Sequence, residues 1–260
     1  MGPRFVDGRW TFLIHDDVAK ADASATSVWR YPDETVFHVV DAGELTAPDD
    51  PAYAFLGAAP GSTVWVSPQT QNPQVVWIGW NTQDPDVMAQ IDRGITLTLH
   101  RVEGPGTMTV FLQSGSFGEP QVLWDSRTQD PQPVWVDVNT HTHANWAFTA
   151  PGVYLVELEA SADLIDGSTV SDTQTIRLAV GSRTAPDDAL AAAWSGPRAT
   201  AAEAASHAAE SSDAQDPLVP VLVGAIVVVA AGLVAGVVVV VVRGNRARRR
   251  ALARSTEGRS

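Results

Sequence analysis

The chain has 260 residues, 30 Asp and Glu against 17 Lys and Arg, and a formal net charge of −13. The acid is concentrated in residues 1–216, which argues against a basic phosphate-binding footprint there, so nucleic acid is not an expected partner. The absence of cysteine excludes thiol catalysis, disulfide exchange and Cys-ligated zinc, and leaves any exported domain to be stabilised by its own core.

The first signal along the chain is a hairpin. Asp7-Gly8 separates Phe5-Val6 from Arg9-Trp10-Thr11-Phe12-Leu13-Ile14, and Asp-Gly between apolar runs is the strongest two-residue turn signature. Further strands are predicted over residues 35–40, 63–67, 74–80, 95–101, 107–113, 121–124, 134–138, 141–148, 153–160 and 169–180. These runs are rich in Val, Ile, Thr, Trp and Phe and are punctuated by Gly, Pro, Asp and Asn. One short helix is predicted over 85–93, with Asp84 as N-cap, Pro85 at N1 and Gly94 beyond its end. About ten strands and one helix predict an all-β fold, an antiparallel, Ig-like β-sandwich. A short echo links Thr70-Gln-Asn-Pro-Gln-Val-Val-Trp77 to Thr128-Gln-Asp-Pro-Gln-Pro-Val-Trp135, each followed by Asn-Thr (Asn81-Thr82 and Asn139-Thr140). We read two equivalent turn-plus-strand units.

Histidine supplies the candidate chemistry. On a strand, residues i and i+2 share a face, which puts His141, His143 and Asn145 on one side and Ala144, Trp146 and Phe148 on the core side. Two imidazoles on one face can hold one Zn²⁺, although a stable site needs one or two more ligands; the same pattern also describes two solvated imidazoles. His38 lies on the face of Val36 and Val40 and is expected to be semi-buried. His100, on a polar face with Thr96 and Thr98, is expected to be solvated, and His207 has no assigned role. Nine tryptophans raise a second function: Trp77 and Trp135, or Trp80 and Trp124, as a platform for sugar rings. Alternation assigns Trp10, Trp65 and Trp146 to the core. Catalysis finds little support, because the sequence has no Gly-x-Ser-x-Gly elbow, His-Glu-x-x-His helix or phosphate-cradling glycine loop, and its abundant carboxylates single out no acid/base pair. A purely structural surface domain without a ligand is the third reading.

After Val180 the strand pattern stops. Residues 184–217 are mostly Ala, Ser, Asp and Glu and read as a stalk, helical at most in part, that follows a domain over 1–183. Residues 218–242 are 25 apolar residues without a charge, longer than the roughly 20 that cross a bilayer as a helix. The tail, 243–260, has seven arginines and one Glu, so +6, whereas residues 1–216 have ten Lys and Arg against 29 Asp and Glu, so −19. The positive-inside rule puts that tail in the cytoplasm. The sequence therefore predicts a single-pass cell-membrane protein with its N-terminal domain extracellular. Gly232 and Gly236 form a Gly-x-x-x-Gly that would let two such helices pair. An outward domain ahead of its membrane helix calls for a leader, and Met1-Gly-Pro-Arg has no apolar h-region. We expect the native chain to begin upstream of Met1.

Several segments together carry a family resemblance. Gly2-Pro-Arg-Phe-Val-Asp-Gly-Arg-Trp10, Asp49-Asp-Pro-Ala-Tyr-Ala-Phe-Leu-Gly57, Val64-Trp-Val-Ser-Pro-Gln-Thr-Gln71, Trp80-Asn-Thr-Gln-Asp-Pro85 and His141-Thr-His-Ala-Asn-Trp-Ala-Phe-Thr-Ala-Pro-Gly152 resemble the actinobacterial surface-anchored protein domain of the choice-of-anchor M group. The resemblance spans about residues 2–181. It implies an exported cell-surface protein of a kind often encoded beside ABC transporters of the zinc/manganese type, whose components become candidate partners. It also implies metal at His141 and His143, zinc in the first place, with His38 as the third candidate. Similar proteins have a Gly-His-Val-Asp-like stretch before the Gly-Pro-Arg motif, where this chain has Met1.

Overall fold

The computed structural model describes residues 1–16, 27–115 and 118–195. The predicted membrane segment, the tail, His207, Gly232 and Gly236 lie outside the described residues. Among the described residues no helix is long and apolar enough to cross a membrane. The N-terminal hairpin forms as its turn dictates. Strands β1 (Gly2–Val6) and β2 (Arg9–Asp16) pair from Gly2↔Leu13 to Val6↔Arg9. Asp7 at φ 50° and Gly8 at φ 76° supply the two left-handed positions that a tight hairpin turn needs. Strand β3 (Val28–Arg30), not foreseen from sequence, continues this sheet beside β2.

Two five-stranded sheets hold most of the remaining strands. In the first, β4 (Val36–Val39), β8 (Gly94–Glu103), β11 (Gln132–Asp137), β14 (Gly152–Asp163) and β15 (Thr169–Val180) lie in the order β11-β8-β14-β15-β4. In the second, β5 (Glu44–Thr46), β6 (Thr63–Ser67), β9 (Met108–Leu112), β10 (Gln121–Asp125) and β13 (Asn145–Phe148) lie in the order β10-β9-β13-β6-β5. Period-two alternation aims Val156, Leu158, Ile176 and Leu178 of the first sheet, and Val110, Trp124, Trp146 and Phe148 of the second, into one shared core. Each fully buried side chain of this size contributes about 1.5–3 kcal/mol. The protein is all-β with several sheets, consistent with a sandwich. One feature departs from the predicted antiparallel arrangement: β4 pairs with β15 in parallel, Arg177↔Val36 to Val180↔Val39.

Four local expectations are corrected. Of the predicted strand over 74–80, residues 74–78 form a loop, and the strand that does form is Gly79–Asn81, β7. The run 141–148 divides at Ala144 into β12 (His141–His143), which pairs with β7, and β13, which belongs to the second five-stranded sheet. Helix α1 (Pro85–Met88) starts as predicted, with Asp84 Oδ1 accepting from the amides of Asp86 and Val87. It stops early because Ile91 is drawn into a bridge with Leu164. Finally, the folded part continues past residue 183. Helix α2 (Pro186–Ala191) packs against β15, β4 and β14 with Ala189 fully buried, and beyond it Trp194 lies over Arg101 at 5.5 Å.

One buried polar contact ties the start of β14 to the chain before it. The Tyr154 hydroxyl donates to the Ala150 carbonyl at 2.8 Å, while its ring meets Phe148 edge-on at 4.9 Å. Burial pushes the Tyr154 phenol up to about 12, so it stays a donor. Tyr154→Phe removes that donor and keeps the ring. Urea unfolding is expected to show a loss of about 1 kcal/mol with an unchanged slope.

Candidate metal centre

The short β7–β12 pair sets His141 opposite Asn81, Thr142 opposite Trp80 and His143 opposite Gly79. Trp80 and Ala144 point inward and are buried, at 4 % and 0 % exposure, so both histidines fall on the outer face. The turn before β12 is fixed by Asn139 at φ 60°. Thr82 fixes it further: its hydroxyl oxygen accepts from the Thr140 amide and its hydroxyl donates to the Asp137 carbonyl.

His143 sits in a made-to-measure slot. Its ring stacks on Trp77 with centroids 3.4 Å apart and planes 6° from parallel, and the Trp77 indole is itself held by donating to the Gln69 carbonyl. Beneath the ring the chain has glycine. A Cβ at Gly79 would lie 2.7 Å from Nδ1 of His143 and 2.4 Å from the Thr142 carbonyl oxygen, so no other residue allows this approach. The second imidazole completes the pair: His141 Nε2 and His143 Nε2 are 3.1 Å apart. Two imidazoles on one tetrahedral ion, with metal–nitrogen bonds of about 2.0–2.1 Å, hold their nitrogens roughly 3.3 Å apart. The pair is already near that spacing.

Burial lowers the His143 pKa from its ordinary 6.5 to about 4, helped by the neighbouring His141 and the N-terminal amine. Backbone groups of Ile78 and Trp77 offset part of this, although Nδ1 is buried without an acceptor in hydrogen-bond geometry. The N-terminal amine is close because it donates to the Gly79 carbonyl at 2.7 Å. His143 is thus a neutral imidazole at ordinary pH, the form a metal requires. The rim of the pair consists of amides: Asn81 Nδ2 lies 3.4 Å from His141 Nδ1, and Gln83 links Asn81 to Asn139.

The other candidates are elsewhere. His38 is on β4 in the first five-stranded sheet, its Nε2 3.3 Å from the Gly181 carbonyl. Among the described residues no group of three or more His, Cys, Asp or Glu could hold a metal ion, so His38 does not join the pair. His100 is not solvated. A bulge in β8 makes it the extra residue between Leu99↔Leu158 and Arg101↔Glu157, and its side chain, 8 % exposed, lies 2.8 Å from Glu159. Asn145, expected beside the histidines, has left them for β13, where its Oδ1 accepts from the Gln69 amide. Trp80 and Trp124 are interior and cannot form a sugar platform. Trp10 and Trp146 are core as predicted, whereas Trp65 is only half-buried and donates to Asp41. Trp77 and Trp135 are exposed, at 38 % and 52 %. Sequence reasoning missed the seat formed by Trp77 and Gly79; the echoed Trp77 unit was the one signal that marked it.

Comparison with protein-family models, curated proteins and solved structures finds no match to this chain.

The depressed His143 pKa has a consequence for stability. Between pH 6.5 and about 4 the unfolded chain takes up a proton at this residue that the folded chain refuses. Stability therefore falls as pH drops through that window. Urea unfolding at pH 7 and pH 5 is expected to show a smaller decline in His143→Gln than in the wild type.

Proposed function

We propose that this chain is a single-pass surface protein whose Ig-like domain binds and hands on a zinc-like divalent transition metal through His141 and His143. The observation that carries this reading is the Nε2–Nε2 separation of 3.1 Å between two imidazoles, one of them seated between Trp77 and Gly79. Two protein ligands leave coordination positions for water or for the groups of an acceptor protein, which suits transfer better than retention. Affinity falls with acidity, because protons compete for the ligand nitrogens. The reading assigns no catalytic step to the pair, and the proposal is non-enzymatic.

The topology of the proposal comes from the sequence. Residues 218–242 would anchor the protein, with Gly232 and Gly236 able to pair two such helices, and the arginine tail would remain inside. The resemblance to the actinobacterial choice-of-anchor M group supports a place beside a metal ABC transporter. Adhesion to a cell-wall glycan is the second reading. Trp135 favours it, with 52 % of its surface exposed and its indole nitrogen oriented by Asp137.

Metal analysis of the full chain in detergent, after dialysis against zinc, is expected to give one ion per chain. His141→Ala/His143→Ala should bring that to background, and a wild type with no stoichiometric metal would end the metal reading. Protease added to intact cells should remove the N-terminal domain and spare the arginine tail. The opposite pattern overturns the topology.

A further inference from the structure

The rim of the histidine pair controls where its protons sit. The backbone amide of Gln83 donates to Asn81 Oδ1 at 2.6 Å. A backbone N–H can only donate, so the Asn81 carboxamide cannot be reversed, and its NH₂ faces the histidine. That NH₂ is 3.4 Å from His141 Nδ1 and 3.5 Å from Gln83 Oε1, and the Gln83 amide donates onward to Asn139 Oδ1 at 3.2 Å. The orientation is therefore held from both sides.

A nitrogen that faces a donor must present a lone pair. A neutral imidazole has one N–H, so the His141 proton belongs on Nε2 and points at His143 Nε2, 3.1 Å away. His143 accepts there, and its own proton lies on Nδ1, in the buried position against Gly79. Binding a metal through both Nε2 atoms demands the reverse at His141: a lone pair on Nε2 and a proton on Nδ1, opposite the Asn81 NH₂. Two donors would then face each other. Metal-binding histidines ordinarily direct the second nitrogen at an acceptor, which fixes the tautomer and strengthens the ligand. Here the second nitrogen of His141 meets a donor.

We infer that Asn81 is a positioning residue that biases His141 toward the tautomer that opposes metal loading, so that the pair holds its ion loosely and releases it readily. This inference rests on the metal-binding reading above. It also narrows the cargo. A nitrogen-bearing site with an amide rim takes borderline ions such as Zn²⁺, Ni²⁺ and Cu²⁺, whereas Ca²⁺ and Mg²⁺ require oxygen ligands.

The test compares the full-length wild type, Asn81→Asp and Gln83→Glu, with Zn²⁺ titrated against a chelating indicator. Asn81→Asp keeps an acceptor for the Gln83 amide and gives His141 Nδ1–H a partner. Gln83→Glu adds the same charge to the rim without that partner. Zn²⁺ affinity should rise about 10-fold or more in Asn81→Asp and clearly less in Gln83→Glu. Equal gains in the two variants, or no gain in Asn81→Asp, overturn the inference. A second readout needs no metal: imidazole ¹⁵N shifts of the wild type should show His141 protonated at Nε2 and bare at Nδ1. Protonation at Nδ1 overturns the inference even if Asn81→Asp does not fold. If no protein binds Zn²⁺ and the shifts are as expected, the metal reading falls and the proton arrangement stands.

Discussion

The division of residues 141–148 between two sheets is the constraint on which the rest of the site depends. Trp146 and Phe148, both at 0 % exposure, fix β13 between β6 and β9, and burial of two such aromatic side chains is worth several kcal/mol. With that half immobile, the three residues before Ala144 can reach only one neighbour, the short strand β7. The histidines are thus positioned by the interior and not by a flexible loop. The cost is visible beside them: the Trp146 indole nitrogen is buried without a partner, a loss of about 1–3 kcal/mol that the surrounding core has to exceed.

Charge is managed differently on the two faces where it matters. Around the histidine pair the rim side chains are the amides of Asn81 and Gln83, and the charge that reaches His143 is that of the N-terminal amine. On the outer face of the first five-stranded sheet, buried carboxylates are matched one by one. Glu157, 5 % exposed, meets Arg101 at 3.2 Å, and Glu159 meets His100 at 2.8 Å. The second basic residue owes its place to the bulge in β8, which brings Arg101 to the same side as His100 and the two glutamates. Removal of either basic partner would leave a carboxylate stranded under the fold, which is far costlier than the pair is stabilising.

What could be read from sequence was what is encoded locally. Asp7-Gly8 specifies its own turn and Asp84-Pro85 its own helix start, and both formed as written. The strands of the core followed from alternation. Three-residue strands such as β3 and β5 are too short to show any period, and the parallel contact of β4 with β15 joins residues about 140 apart. Residues 74–80 look like a strand by composition, but Val75 and Ile78 are buried while Trp77 is exposed, a spacing that only the packed loop explains. His100 does follow Thr96 and Thr98 onto the polar face, but its burial comes from Glu159 on the neighbouring strand, which local sequence does not show. The candidate site was half legible. The i, i+2 rule found His141 and His143, but Trp77, Gly79 and Asn81 meet them only through the β7–β12 register.

The C-terminal side of the domain has its own mechanical character. After α2 the chain crosses to β8, where Ser195 gives two hydrogen bonds to Glu103 and Trp194 covers Arg101. Tension arriving from beyond Ser195 would open these small contacts in sequence, as a zip opens. The ladder of twelve residue pairs between β14 and β15 would feel it only afterwards. The end of the domain is thus closed by a clasp far weaker than the ladder it leads to.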